Sequence, residues 1–420
     1  MQIQPLRGFR EFYPEQMCAR RKVFDKLTAI ARAYGFREID MPSLESLDLL
    51  KLKSGEGIVD ETFSFKDKGG RDVTLIPETT PSIARMVGSR KAITKPVRWF
   101  SLGKLWRYEE PQAGRLREFY QLNIDIFGVP GVEADAEVVA FSVKMMEALG
   151  LSDEFVIKIS DRNLLSECFG GADANAIFRV IDKRAKLPEK EFLRQLEELG
   201  IKDEKLKFTI SLLDGKNKSI EKIEEFLPKT GKIPETMTRL TRLFQLLESY
   251  GVRDRCELDV SIVRGLAYYS GMVFECHDAK GELRALFGGG RYDGLVQLFG
   301  GEPTPAVGFA LGDAVLEILM KRSNLWPDEK LETDYFIVLT DEKYIGECIK
   351  IAESLRKKGL SVEWDILKRK VGAQMKYADK IGAKRALFIG EDELKHGNVM
   401  VRDMATGEQV QKPLSEFIGN

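Results

Sequence analysis

The chain has 420 residues, 43% apolar and 31% charged, which suggests two or three domains, each able to bury a core. Its 65 Lys and Arg nearly balance its 66 Asp and Glu, so no global basic field announces nucleic acid, and any RNA partner must meet a local basic stripe. Five scattered cysteines without Cys-x-x-Cys spacing and only two histidines, His277 and His396, exclude a disulfide framework, a zinc ribbon and a histidine-rich metal site.

In chain order, apolar residues at helical spacing predict a helix over Gln16 to Tyr34, stopped by Gly35. A strand over Phe36 to Met41 ends at Pro42, and Glu61 to Phe65 with Asp72 to Ile76 alternate like a hairpin around Lys68-Gly69-Gly70. A helix follows Pro81; strands over Val97 to Leu102, Leu105 to Glu109 and Glu118 to Phe127 precede a helix over Ala134 to Leu149. One helix and several strands before that long helix make an α+β order.

From Arg162 to Val252 the composition turns rich in Glu, Lys and Leu, with helices expected over Pro188 to Leu199, Ile210 to Phe226 and Glu235 to Tyr250. We read 162–252 as a helical insertion. Strands resume at Cys256 to Val263, Met272 to His277 and Leu283 to Phe287, and a helix at Asp313 to Met320 closes the first part. After a boundary near Lys321 to Asp328 the order becomes strand (Tyr335 to Leu339), helix (Ile345 to Lys357), strand (Ser361 to Asp365), helix (Val371 to Ile381) and strand (Ala386 to Ile389). A final strand (Asn398 to Arg402) and a short helix after Pro413 complete a small α/β domain with a mostly parallel sheet. The apolar runs are strand-sized, far short of the roughly 20 residues of a spanning helix. The N-terminus has no signal-peptide core, so a cytoplasmic protein away from membranes is expected.

Four stretches carry chemistry. In Gly103 to Asp125, which reads as strand, loop, strand, Arg107 and Arg115 suit a polyphosphate because guanidinium forks match phosphate oxygens in pairs. Glu109, two residues after Arg107, is expected on the same strand face. On its own the stretch reads equally well as a solvated charged hairpin. Val263 to Glu275 sets Arg264 and the tandem Tyr268-Tyr269 between glycines, unusual for a packing element. Phe287-Gly288-Gly289-Gly290-Arg291-Tyr292-Asp293-Gly294 offers either a close backbone approach or a plain glycine-rich turn. Pro305 to Gly312 has G-x-x-x-G spacing, which is not the dinucleotide fingerprint.

These stretches, in this order, resemble the class II aminoacyl-tRNA synthetases and specifically their histidine branch. So do Thr74-Leu-Ile-Pro77-Glu78-Thr79-Thr80, the opening Arg7-Gly8-Phe9-Arg10-Glu11-Phe12-Tyr13-Pro14, and Pro42, which resembles the dimer-motif proline. The resemblance covers nearly the whole chain. It implies a catalytic domain on an antiparallel sheet (1–161 and 253–322), the helical insertion (162–252) and an α/β anticodon-binding domain (329–420). The implied activity is a histidine–tRNA ligase that uses ATP with Mg2+, no dedicated protein ligands holding the metal. The implied partners are histidine, histidine tRNA and a second copy in a homodimer.

The resemblance also assigns roles. Arg107 and Arg264 flank the α-phosphate, with Arg264 also toward histidine; Glu109 accepts from the adenine amino group, Phe119 stacks under the purine and Arg115 holds the terminal phosphates. Glu78 and Thr80, with Gln121 nearby, anchor the α-ammonium of histidine. Asp125 takes the imidazole N–H, and Tyr268, Tyr269 and Tyr292 line the same pocket. Two departures stand out: Asp125 occupies a place where many members have Glu, and Gly312-Asp313-Ala314-Val315 lacks the arginine that the family's last motif sets over the adenine. That second departure leaves open a rival reading, a histidine-binding regulatory relative of a histidine-biosynthesis enzyme that charges no tRNA. The insertion's Lys205, Lys207, Lys216, Lys218 and Lys222 read as a solvated face or, less simply, as contacts to the tRNA acceptor arm.

Overall fold

A computed structural model describes residues 3–164, 176–177, 180–181, 184, 187–213, 235–262 and 268–418. Two compact units emerge, Met1–Glu11 with Val23–Trp326, and Phe12–Lys22 with Pro327–Asn420.

The first unit is built on an eight-stranded sheet in the order β1-β5-β6-β11-β10-β9-β7-β8. Its strands are β1 (Arg37–Glu38), β5 (Val97–Trp106), β6 (Glu118–Phe127), β7 (Phe155–Asp161), β8 (Cys256–Leu258), β9 (Met272–Asp278), β10 (Phe287–Arg291) and β11 (Ala306–Gly312). A smaller sheet holds β2 (Leu44–Ser46), β4 (Asp72–Leu75) and β3 (Ser64–Lys66) in that order. Antiparallel pairing dominates the centre, from β5·β6 across β11, β10 and β9 to β7. The α+β architecture is therefore the one expected.

The sequence of β6 explains how one sheet serves both a core and a site. Strand side chains alternate between faces, so Leu122, Ile124 and Ile126 share one face while Phe119, Gln121, Asn123 and Asp125 share the other. The apolar face joins a single core with Val23, Phe24, Leu27 and Ala31 of α1 (Pro14–Ala33) and with Val139, Ala140 and Val143 of α4 (Val132–Ala148). Phe309 and Phe274, on neighbouring strands, pack there at 6.0 Å between ring centroids. Between them in register lies Gly289, where an added Cβ would sit 2.4 Å from Phe309 Cβ and 2.1 Å from Gly308 O. The glycine run is thus a strand inside the sheet, not a turn.

The local differences from expectation have simple causes. The two strands expected over 97–109 are one, β5, because Gly103 continues the ladder opposite Gln121; Glu109 then lies beyond the strand, in the loop. The strand after Gly35 shortens to Arg37–Glu38, and that from Cys256 ends at Leu258. Ala306–Gly312, expected only as a glycine-spaced lead into a helix, pairs on both edges as β11. In the insertion region, helices Glu189–Glu198, Asp203–Leu213 and Glu235–Ser249 are present. The remainder of the helix expected over Ile210 to Phe226, with Lys216, Lys218 and Lys222, lies outside the described residues.

The second unit holds a five-stranded sheet, β13-β12-β14-β15-β16, of β12 (Thr333–Leu339), β13 (Val362–Trp364), β14 (Ala383–Ile389), β15 (Asn398–Asp403) and β16 (Gln409–Pro413). The first three strands are parallel and the last two antiparallel, a mixed sheet rather than the mostly parallel one expected. Two reversals cause this. The chain returns as β15 antiparallel to β14 after the short helix Glu391–Lys395. At the end of β15, Asp403 Oδ1 accepts from the backbone N–H groups of Ala405 and Thr406 and turns the chain back into β16, a strand not expected from the sequence. The segment after Pro413 is a single 3-10 turn, Leu414–Glu416.

Arg291 ties the central sheet to the start of α4. Its side chain, only 2% exposed, pairs with the equally buried Asp135 at 2.7 Å and donates to Val129 O and Gly131 O at 3.1 and 3.0 Å. Removing one member of such a pair strands a buried charge, which costs about 3–5 kcal/mol. Arg291→Ala should therefore lower the unfolding midpoint in urea markedly; a midpoint within error of the parent would contradict this role.

Candidate active site

The polar face of the sheet carries a cavity of about 310 Å³, and its depth follows from small residues on β10 and β11. Register places Gly290, Gly308 and Asp125 in one row across three strands, and Glu275, Gly288, Ala310 and Asn123 in the next row but one. Directly opposed residues project to the same face, so glycine and alanine leave the middle of the sheet bare while β6 and β9 supply the polar walls. The glycines are required sterically. A Cβ on Gly308 would lie 2.4 Å from Asp125 Oδ1, and one on Gly290 would lie 2.9 Å from the Tyr269 ring.

Asp125 lies at the floor of the cavity, 1% exposed, and accepts a short hydrogen bond from the Tyr292 hydroxyl. Burial pushes its pKa up to about 7, and the Tyr292 bond opposes that rise only in part. Tyr268 stacks near Tyr269 at 4.6 Å and meets Tyr292 edge-on at 5.9 Å, so the three rings form one aromatic wall. Above Asp125 on the same strand, Asn123 Oδ1 and Gln121 Oε1 are buried without a hydrogen-bond partner among the described residues, as is Asp125 Oδ2. Buried acceptors normally find donors; three in a line define a place for N–H groups.

The other end of the cavity is cationic. Arg107, just past β5, donates from Nε to Pro77 O at 2.9 Å and lies 5.2 Å from the centroid of the Phe119 ring. Arg115 in the loop ion-pairs with Glu109, and Arg284 lines the same end. Guanidinium groups gathered beside an aromatic face suit the phosphates and base of a nucleotide.

Of the residues singled out in the sequence, the cavity brings together Glu78, Thr80, Arg107, Glu109, Arg115, Phe119, Gln121, Asp125, Tyr268, Tyr269 and Tyr292. Arg264 lies outside the described residues. Glu109 does not share a strand face with Arg107; the loop carries it to the cavity instead. Glu78 ion-pairs at 2.5 Å with Lys53 of α2 (Leu47–Ser54), a buried cation that also lies 3.9 Å from the Tyr268 ring centroid. Burial pulls the Lys53 pKa down, and Glu78 opposes this.

Sequence reading missed Lys53, Asn123, Glu275 and Arg284. The period of two along β6 pointed to Asn123, since Gln121 and Asp125 flank it at alternate positions. Nothing local marks Lys53 or Arg284, which long-range packing brings to the site. Asp313, in the segment lacking the expected arginine, is buried and accepts from Arg10 at 2.8 Å and from the Tyr120 N–H at 3.0 Å. It anchors the N-terminal segment. His277 lies 3.1 Å from Glu275, and among the described residues no group of three His, Cys, Asp or Glu could hold a metal ion.

Known proteins with the same organisation are numerous. The histidyl-tRNA synthetase family profile matches residues 8–314, and an anticodon-binding domain profile matches residues 334–420. A histidine–tRNA ligase of Haloarcula marismortui is 44% identical over 99% of this chain and 97% of its own length. The crystal structure of histidyl-tRNA synthetase from Nostoc sp. PCC 7120 superimposes with a TM-score of 0.83 at 24% identity, covering 99% of this chain and 98% of that one. An ATP phosphoribosyltransferase regulatory subunit/histidyl-tRNA synthetase from Bacillus halodurans C gives 0.75 at 23% identity, covering 90% and 97%. Those two structures share the fold, and the family profile with the 44% relative carries the assignment: this chain belongs to the histidyl-tRNA synthetase family.

Proposed function

We propose that the cavity activates histidine with ATP and that the chain then transfers the histidyl group to the 3′ end of histidine tRNA. The observation that carries this reading is the division of one cavity into an acceptor-lined floor and a guanidinium rim. The floor fits a ligand rich in N–H donors, and the rim fits a polyanion. An amino acid with an imidazole side chain, facing a nucleotide, satisfies both.

In this reading Asp125 takes the imidazole N–H, with Tyr268, Tyr269 and Tyr292 enclosing the ring. A site that hydrogen-bonds its substrate rejects apolar isosteres strongly, because its own polar groups are otherwise left unpaired. Gln121, Thr80 and Glu78 hold the α-ammonium, and Glu78 exchanges part of its Lys53 contact for it. Arg107, fixed by Pro77 O over Phe119, positions the α-phosphate and the attacking carboxylate. Arg264 supplies the second cation there, and charge preorganised at the α-phosphate acts most on the transition state. Glu109 accepts from the adenine amino group, Phe119 stacks under the base, and Arg115 holds the terminal phosphates once its pairing with Glu109 is exchanged. Magnesium neutralises phosphate charge when bound, held mainly by phosphate oxygens and water. Histidine's own carboxylate is the nucleophile, so activation needs no general base.

The domain scheme accompanies this reading: chemistry in 1–161 and 253–322, an inserted 162–252, and tRNA anticodon contact in 329–420. We also propose a cytoplasmic homodimer, its interface around Pro42 and the Phe36 to Leu50 segment. Among the described residues no helix is long and apolar enough to cross a membrane.

Charging, rather than regulation, is favoured by the anticodon-binding profile and by the full-length relative named as a ligase. The deciding test is transfer of labelled histidine to tRNA. A ligase yields acid-stable histidyl-tRNA, whereas a regulator binds histidine and yields none.

Two variants follow from the site. Arg264→Ala should slow adenylate formation by at least ~100-fold, the scale of losing one preorganised donor; a rate within a few fold of the parent removes Arg264 from the chemistry. Asp125→Asn should raise the histidine KM about ten- to hundredfold, with ATP KM nearly unchanged.

The same substitution has a signed effect on stability. The folded Asp125 carboxyl holds its proton up to about pH 7, whereas an unfolded one releases it near pH ~4. Between those values the folded state binds more protons, so the Asp125 contribution to stability falls as pH rises. Asp125→Asn lacks this loss and should melt a few degrees above the parent at pH 8 and little above it at pH 4. A gap that does not widen with pH would contradict the buried, raised carboxyl.

A further inference from the structure

Arg284 lies in the segment between β9 and β10, and neither composition nor motif drew attention to it. The structure places it on the cavity rim beside Arg107, Arg115, Glu109 and Glu275. Partial burial, then the neighbouring Arg115 guanidinium, pulls its pKa below the ordinary arginine value, while Glu109 pulls the other way. Yet neither carboxylate is its ion-pair partner. Glu109 pairs with Arg115, Glu275 meets His277, and among the described residues Arg284 has no ion pair. Three guanidinium groups thus converge on one rim whose two carboxylates, Glu109 and Glu275, are already engaged by Arg115 and His277. Like charges repel at this range even when partly hydrated, so such a cluster is best satisfied by a multivalent anion.

Its position is specific. A Cβ built on Gly114, in the loop that carries Arg115, would lie 3.7 Å from Arg284 Cδ and 2.7 Å from Val315 Cγ2. Arg284 therefore comes in beside Val315, over the loop between β5 and β6. Val315 and its neighbour Ala314 line this end of the cavity but carry no charge. The chain puts a cation at this end from a different strand connection.

We propose that Arg284 is a nucleotide-binding residue whose guanidinium closes on the triphosphate of ATP beside Arg115, supplying the cation that Gly312-Asp313-Ala314-Val315 does not. This rests on the cavity being the ATP site. The guanidinium makes paired, charge-assisted hydrogen bonds to phosphate oxygens, contacts worth about ten- to hundredfold in affinity when one donor group is lost. Histidine, held at the opposite end by β6, is outside its reach, so its effect falls on ATP.

The test is histidine-dependent ATP–pyrophosphate exchange by the full-length parent, Arg284→Ala and Arg284→Lys, titrated separately in ATP and in histidine. Histidine binding without ATP, measured by calorimetry, checks that each variant retains its pocket. The proposal expects Arg284→Ala to raise the ATP KM about ten- to hundredfold with the histidine KM within about threefold of the parent. Arg284→Lys, which keeps the charge but loses the fork, should fall between. An unchanged ATP KM in Arg284→Ala overturns the proposal, whether tRNA charging is spared or falls; a fall in charging alone assigns Arg284 to the tRNA end instead. Equal rises in both KM values also overturn it. A parent that shows no exchange overturns the ATP reading of the cavity and this proposal with it, whereas an active parent with an indifferent Arg284→Ala overturns the proposal alone.

Discussion

A carboxyl group taken wholly out of water is costly unless its surroundings compensate it, and among the described residues the Asp125 carboxyl has one hydrogen bond, from Tyr292, at a floor flanked by aromatic rings and bare glycine backbone. Much of the surrounding structure serves to keep it there. Gly308 is a glycine because any side chain would occupy the space of the Asp125 oxygen, and Gly290 is one because Tyr269 needs the space beside it. Arg291, next to Tyr292 in sequence, is clamped to Asp135, so the strand that presents Tyr292 is fastened to α4. The raised pKa of Asp125 follows from this arrangement, which leaves the group under-satisfied in the free protein and so a candidate for completion by a ligand.

The second organising feature is separation of charge along the cavity. β6 contributes acceptors at alternate positions, Gln121, Asn123 and Asp125, while the loop before it contributes Arg107 and Arg115. One hairpin therefore delivers both the acceptor-lined floor and the guanidinium rim of the cavity, and in the function proposed above the reacting carboxylate and α-phosphate meet where the two join. In the free protein several of these charges neutralise one another, Glu78 with Lys53 and Arg115 with Glu109. In the function proposed above, ligands exchange those pairs, so that binding swaps partners rather than filling an inert hole.

Much of the fold was legible from periodicity. The alternation in Glu118 to Phe127 marked the central strand, and the stretch rich in Ala, Val and Met from Ala134 to Leu149 marked the helix covering it. The glycine-rich segments were only half legible: Gly288–Gly290 was open between a close backbone approach and a turn, and Gly308 stood in a lead into a helix, until the strands that pair with them were known. Their register, not their composition, makes them the cavity floor. The sheet of the second unit came out mixed because Asn398–Asp403, which spacing alone left in the parallel series, pairs antiparallel with Ala383–Ile389. The Asp403 turn then adds an unexpected strand, Gln409–Pro413, antiparallel to it. At the site, motif resemblance named residues on β6, its flanking loop and the tyrosine wall. Lys53 and Arg284 escaped because each is an ordinary charged residue in an ordinary surface pattern. Only the three-dimensional approach of α2 to Tyr268, and of the β9–β10 connection to Gly114, gives them a role.

The central claim is that this cavity recognises imidazole through Asp125 while a nucleotide occupies the guanidinium rim. The most direct measurement is ATP–pyrophosphate exchange by the full-length protein with each of the twenty amino acids in turn, at saturating ATP and magnesium. Exchange is expected with histidine alone, and none with phenylalanine, leucine or glutamine, whose side chains leave the Asp125 carboxyl unpaired or wrongly paired. Exchange supported equally by one of those, or no exchange with histidine, would contradict it.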